Sequence, residues 1–324
     1  MPIKMKPSQA KKDNQTDALI STRTELKQVE ERLAIGANVV YETIRREGED
    51  EMDRPAAALA WSALAAGLSL GFSFVAEALL RCHLPDTQWR PLIARAGYCV
   101  GFLIVILGRQ QLFTENTLTV ILPLLLHKNL RTLFRVMRLW AVVLAANLTG
   151  TFLFALCLAK AGIFDAHIQE CFLQIGKEHM GAPFGIVIMR AVFAGWLIAL
   201  MVWLLPAAES ARVSIIIIIT YLIGIGGFNH IIAGSTTALY LVVTNSISWG
   251  TYIFRFFVPT LLGNIIGGVS LVAALGHAQV VGGKRIASCC VTAKVPCRNT
   301  EASDSGCPFG CLASLLKQAF ACDT

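Results

Sequence analysis

Charge is scarce in this 324-residue chain: Asp, Glu, Lys and Arg together make up 15% of it, where soluble domains carry about a quarter. That scarcity excludes an ordinary cytosolic enzyme. A nucleic-acid binder is excluded as well, because the formal net charge of +7 is scattered between apolar stretches and forms no basic face. Residues 1–20 are polar and lysine-rich and lack the apolar core of a signal peptide. The apolar runs lack the strict alternation of a membrane barrel. An intramembrane hydrolase is not expected, since HExxH is absent and Ser235, five residues after His230, has no supporting constellation. Neither a cofactor nor a resident metal is expected.

Regular cysteine spacing is missing too. Cys82, Cys99, Cys157 and Cys171 lie in or near the apolar body, whereas Cys289, Cys290, Cys297, Cys307, Cys311 and Cys322 crowd the end of the chain. Cys307-Pro-Phe-Gly-Cys311 fits neither a disulfide framework nor a metal site. Residues 286–324 are therefore read as a cysteine-rich, disordered tail.

What the chain does have is apolar length. Hydrophobic residues make up 55% of it and mean hydropathy is +0.60, gathered into runs long enough to cross a bilayer. Six segments stand out, at approximately 56–80, 93–126, 138–160, 184–206, 213–244 and 252–276. They delimit a transmembrane domain over 56–285. The loop 127–138 carries Lys128, Arg131, Arg135 and Arg138 and should be cytoplasmic, and an even number of spans puts both termini on that side. Ahead of the spans lies a cytoplasmic segment, 1–55. In it Thr22-Arg-Thr-Glu25 forms a capping box, and Leu26, Val29, Leu33, Ala37, Val40 and Ile44 predict an amphipathic helix over 22–46. The acidic run 47–53 is read as a solvated linker.

Two segments are too long and are interrupted. The second breaks at Gly108-Arg109-Gln110-Gln111, before Leu112-Phe113-Thr114-Glu115-Asn116. The fifth breaks at Gly224-Ile-Gly226-Gly227-Phe228-Asn229-His230. Broken helices survive in a membrane only where they face protein or a water-lined cavity, and matching breaks in two halves point to a transport site. Ala66-Gly67 and Ala194-Gly195 precede the two breaks, and Asn147-Leu-Thr-Gly150 and Asn264-Ile-Ile-Gly267 follow them. This order predicts an all-α polytopic membrane protein with six transmembrane helices, built as an inverted 3+3 repeat with broken second and fifth helices.

These residues resemble the formate/nitrite transporter family over roughly residues 30–285, and most resemble its YfdC-type inner-membrane branch. The resemblance rests on Leu112-Phe113-Thr114, on Gly227-Phe228-Asn229-His230 and on Gly263-Asn264-Ile265-Ile266-Gly267-Gly268. It implies an aquaporin-like bundle in a bacterial inner membrane. It also implies a homopentamer, with a pore in each protomer for small monovalent weak-acid anions. By position His230 matches the family's central pore histidine, and Leu112, Phe113 and Thr114 match its mobile loop. Tyr98 and Phe102 fall at its constriction, and Ile223 falls where an aromatic closes the outer slit. The chain departs from the pattern at Asn229, commonly Glu, and at Arg109, usually small. The family's lysine before the fourth span has no clean match, since Lys177 and His179 straddle its place.

The chemistry of the candidates agrees with transport of an anion together with a proton. A bare anion crossing hydrophobic rings loses several kcal/mol of solvation, and an imidazole that titrates near neutrality can lend it a proton. Asn229 is expected to bond a main-chain group and hold the break, while Asn147 and Asn264 bridge backbone groups freed at the breaks. Arg109 is expected either to pair with Glu115 or to reach a vestibule. Glu77 should snorkel, and the histidines other than His230 should be interfacial. Tyr98, Phe102 and Phe113 could equally be bundle packing. Two alternatives stay open: a neutral-solute pore on the same fold, and a relative that has lost transport and serves as a scaffold or sensor.

Overall fold

The architecture starts from the lengths of its helices. Five are long and apolar enough to cross a membrane: Ala56–His83, Arg90–Leu107, Leu130–Lys160, Phe184–Ala207 and Trp249–Ser270. In this computed structural model, which describes residues 36–273 and Gly276, all regular structure among the described residues is helical. We number the helices α1 (Ala37–Asp53), α2 (Ala56–His83), α3 (Arg90–Leu107), α4 (Phe113–Thr119), α5 (Ile121–His127) and α6 (Leu130–Lys160). They continue as α7 (Ala166–Met180), α8 (Phe184–Leu204), α9 (Arg212–Ile225), α10 (Ile231–Val243) and α11 (Trp249–Ser270). The described residues belong to one unit, Met1–Gly282; Gly283–Thr324 forms another, outside the described residues.

The long second and fifth segments are each divided. α3 ends at Leu107 before α4 begins at Phe113, and α9 ends at Ile225 before α10 begins at Ile231. α9 has 14 residues and α10 has 13, so each is about 20 Å long, short of the roughly 30 Å hydrocarbon core.

Both breaks are built alike. The chain turns through a left-handed residue, Arg109 (φ 49°) in one and Gly227 (φ 61°) in the other. It then extends through the N-cap residues Leu112 and His230. A buried asparagine pairs the main-chain groups freed at each break. Asn147 Oδ1 accepts from the Phe113 amide at 3.0 Å, and Asn147 Nδ2 donates to the carbonyls of Ala63 (2.7 Å) and Gln111 (2.9 Å). In the other half Asn264 Oδ1 accepts from the Ile231 amide at 2.8 Å, and its Nδ2 donates to the carbonyls of Ala191 and Asn229, both at 2.8 Å. Close approach makes this possible. A Cβ on Gly67 would collide with the Asn147 carbonyl, and one on Gly195 with the Asn264 carbonyl.

Two expectations need correction. The acidic run 47–53 is no linker, because α1 continues through Asp53. Glu42 pairs with Arg45 and Arg46, at 2.7 and 2.8 Å, and Glu51 pairs with Arg54 at 3.0 Å, contacts one helical turn apart. α1 also presses so close to α4 that a Cβ on Gly48 would overlap the Thr119 carbonyl. Of the helix expected over 22–46, the part over 22–35 lies outside the described residues, as does the tail 286–324. Glu77 does not snorkel: it is buried and pairs with Arg95 at 2.7 Å, the pairing that a buried carboxylate needs. In addition, Cys82 and Cys171 form a disulfide that ties the end of α2 to α7. A second tie at the far end of α7 joins Arg81 to Glu178 by two hydrogen bonds, at 2.7 and 2.5 Å.

Replacing Asn264 by Leu deprives the Ile231 amide and the Asn229 carbonyl of their side-chain partner. At roughly 1–3 kcal/mol for each buried orphan, Asn264→Leu is expected to lower the thermal midpoint of the purified protein sharply. An exposed polar change such as Thr149→Ala should leave it in place.

Candidate functional site

The first turn of α10 needs partners for its amide groups. His230 supplies one: its Nδ1 accepts from the Ala233 amide at 3.1 Å. A nitrogen that accepts an amide proton carries none of its own, so the neutral ring holds its proton on Nε2. Nε2 lies 2.7 Å from Thr114 Oγ1 and donates to it. Thr114 stands in the first turn of α4, so a single side-chain hydrogen bond joins the two helix breaks.

Aromatic rings close over that contact. Phe102 meets the His230 ring edge-on, with centroids 5.0 Å apart, and Tyr98 lies 5.2 Å from Phe102. A Cβ on Gly224, the neighbour of the buried Ile223, would touch Tyr98 Cβ at 3.1 Å, which brings Tyr98 and the end of α9 together. Leu112, Phe113, Thr114, Phe102, Asn229 and His230 are all buried. Phe113 stands apart from this file of rings and packs on Trp140 of α6 at 5.7 Å.

Asn229 does not do what its position suggested. Its Nδ2 is buried without a hydrogen-bond partner, and Asn264 holds the break in its place. An unpaired buried N–H costs about 1–3 kcal/mol, and this one lies beside His230 in sequence.

On the side of α1, beside the first break, lies a cavity of about 620 Å³, whose charged lining comprises Glu47, Asp50, Glu51, Glu115 and Glu209 against Arg109 and Arg212. Arg109 does not pair with Glu115; its guanidinium, largely exposed, meets Glu47 at 3.2 Å. It does so from a left-handed backbone conformation, φ 49°, which costs a side-chain-bearing residue roughly 1–2 kcal/mol.

His179, expected at an interface, is drawn inward at the end of α7. Its Nε2 is buried and has no hydrogen-bond partner. Its ring lies 5.4 Å from Phe256, and a Cβ on Gly234 would press on Nε2 at 2.7 Å. Burial first, then the Arg95 and Arg190 charges, push His179 down to about 4. The imidazole adjoining the lysine position that lacked a match was the available signal. A hydrolase spelling, GxSxG, does occur, as Gly67-Leu68-Ser69-Leu70-Gly71. It lies in the middle of α2, not at the strand-to-helix turn that such a nucleophile needs. Its glycines are contact points, Gly67 on Asn147 and Gly71 on the Phe154 ring.

Two outcomes follow. Arg109→Gly removes an exposed pair worth at most about 1 kcal/mol and relieves the left-handed Cβ. Its thermal midpoint should hold, and assembly should need no rescue by Glu115→Gln. For His179 the folded value lies below the free value of about 6.5, so protonation favours unfolding. The stability it leaves intact above that pH is lost as pH falls toward 4. His179→Gln should flatten the decline in thermal midpoint between about pH 7.5 and about pH 5.

Comparison with known proteins bears on the family and the fold. The formate/nitrite transporter family model matches residues 38–278. Inner membrane protein YfdC of Escherichia coli (strain K12) is 41% identical over 251 residues, which cover 78% of this chain and 81% of that protein. The formate channel BtFdhC of Bacillus thuringiensis is 26% identical, over 63% of this chain and 79% of its own length. Among solved structures, a pentameric formate channel with formate bound superposes with a TM-score of 0.59 at 20% identity, covering 70% of this chain and 98% of that one. An FNT family ion channel does so with a TM-score of 0.63 at 19% identity, covering 75% and 97%. At such identities the superpositions speak for the fold.

Proposed function

The chain belongs to the formate/nitrite transporter family, a membrane transport protein and not an enzyme, and on that premise we propose that it is a pore for small monovalent anions of weak acids. Formate, nitrite and hydrosulfide are the intended class, and His230 passes the proton. The observation that carries this reading is the His230–Thr114 contact, where the two breaks meet under Phe102. An anion entering that apolar gap loses several kcal/mol of hydration, and the same loss raises its own pKa. The Nε2 proton of the imidazolium neutralises it at the narrowest point and leaves a neutral ring. That imidazolium forms when Nδ1 takes up a proton from the aqueous side, for which it must first release the Ala233 amide. That is the loss of one helix cap, about 0.5–2 kcal/mol. Thr114 Oγ1 and the unpartnered Asn229 Nδ2 are further donors for the acid's oxygens. Tyr98, Phe102 and Ile223 restrict passage, and Leu112 and Phe113 belong to the movable part of the first break.

The six-crossing inverted repeat is part of the proposal. It draws support from the paired residues Ala63 and Ala191, Gly67 and Gly195, Arg109 and Gly227, Leu112 and His230, and Asn147 and Asn264, which occupy equivalent places in the two breaks. A homopentamer in a bacterial inner membrane is proposed with it. The termini are assigned to the cytoplasm, and two features support that side. The basic residues around α5 and α6 obey the positive-inside rule. The Cys82–Cys171 disulfide belongs on the other, oxidising face. α1 then floors the cytoplasmic mouth of the pore.

The chamber beside the first break favours a second reading, a pore for a neutral solute, because its carboxylates outnumber its two arginines and so repel anions but not uncharged molecules. Flux in proteoliposomes across a pH range separates the two. In the first reading uptake of formate or nitrite rises with acidity, and His230→Asn loses this stimulation by on the order of a hundredfold with the oligomer intact, since asparagine can still cap α10. Phe102→Ala should admit larger carboxylates such as lactate. If His230→Asn transports like wild type at every pH, the ring serves only to hold the break.

A further inference from the structure

Away from the pore, a second cavity, of about 550 Å³, opens between the last turn of α1 and the first turns of α6. It is lined by Met52, Asp53, Arg131, Phe134, Arg135 and Arg138. Its cations are held in different ways. Arg135 pairs with Asp53. Arg138 donates from Nη2 to the main-chain carbonyls of Met52 (2.8 Å) and Arg54 (3.2 Å) and so keeps its charge uncompensated. Arg131 makes no hydrogen bond or ion pair among the described residues. With Asp53 balancing Arg135, the cavity carries a surplus of two positive charges.

The neighbouring surface is apolar. At about 100° per residue, Leu133, Met137, Leu130 and Phe134 share one arc of α6, and Arg138, Arg131 and Arg135 form the adjoining arc. The apolar four are exposed by 39%, 51%, 72% and 74% in that order. α6 has 31 residues, about 46 Å of helix against a hydrocarbon core of about 30 Å. Its first turns therefore stand in the headgroup layer of the leaflet toward which the basic loop faces. The Asn129 side chain already caps the Thr132 amide at 2.8 Å, so the helix end itself needs no anion.

We propose that this cavity binds the headgroup of an anionic glycerophospholipid. The phosphodiester oxygens take the charges of Arg131 and Arg138, and an acyl chain lies along Leu130, Phe134 and Met137. A free phosphate would satisfy the cations and leave the apolar arc unused; the lipid uses both. The bound headgroup bridges α6 to the end of α1, the helix that lines the acidic chamber, so the inner mouth is steadied by the composition of the leaflet.

Native mass spectrometry of the full chain, purified in detergent and mixed with phosphatidylglycerol or phosphatidylcholine of identical chains, tests this. Wild type should retain the anionic lipid preferentially. Arg131→Gln should weaken phosphatidylglycerol retention about fivefold, the scale of one arginine at an anionic surface, and leave phosphatidylcholine unchanged. Arg131→Lys should keep most of the preference, which guards against a folding defect. Phe134→Ser should weaken both lipids alike. Equal retention of the two lipids by wild type overturns the proposal, and so does an Arg131→Gln variant that behaves like wild type. Displacement of phosphatidylglycerol by millimolar inorganic phosphate would assign the site to a free anion and overturn the lipid.

Discussion

A peptide group left without a partner at membrane depth costs several kcal/mol, since no water is there to pair it. Each of the two helix breaks in this protein frees such groups, and at each break one asparagine side chain takes up two of them and also donates to a carbonyl of a neighbouring helix. The rest of the structure depends on that arrangement. For the amides to reach their carbonyls the helices must nearly touch, which is why Gly67 meets the residue at 147 and Gly195 the residue at 264. Once the breaks are held from behind by Asn147 and Asn264, their front sides are free to present chemistry. On one side the cap position is filled by a leucine, on the other by a histidine.

The departure from symmetry is where function enters. Leu112 and His230 occupy the same station, but only His230 brings an ionisable ring, and that ring reaches across to Thr114 in the opposite half. Gly227 and Arg109 occupy the same left-handed turn, but only Arg109 puts a charge into the chamber on the α1 side. The two breaks thus share a scaffold but differ in what they present, with a neutral polar contact between them and an acidic cavity beside the first. Elsewhere α7 is clamped to α2 by a disulfide and an ion pair.

Much of this was legible in the sequence, because a membrane removes alternatives. Long apolar runs, their two interruptions and the recurrence of Asn-x-x-Gly all follow from backbone satisfaction in a dry medium, so they leave marks that spacing alone can find. His230 stood out for the same reason, as an ionisable ring at a break in an apolar segment. What escaped depends on contacts between distant parts of the chain. Arg109 lies six residues from Glu115 but meets Glu47, which no local pattern relates to it. Cys82 and Cys171 are 89 residues apart and have no spacing signature. Glu77 reads as a residue near a span end until Arg95 is seen beside it. His179 lies in a polar stretch whose helix folds inward only in the tertiary structure.

The central claim is that only a species able to become neutral crosses the contact between His230 and Thr114. The most direct measurement compares formate with chloride, a small anion that cannot be protonated, in proteoliposomes under identical gradients while internal pH and membrane current are recorded together. The account predicts formate entry with one proton per anion, no net current and no response to a potassium–valinomycin potential, and no chloride flux. A chloride current comparable to that of formate, with no accompanying movement of protons, would contradict it.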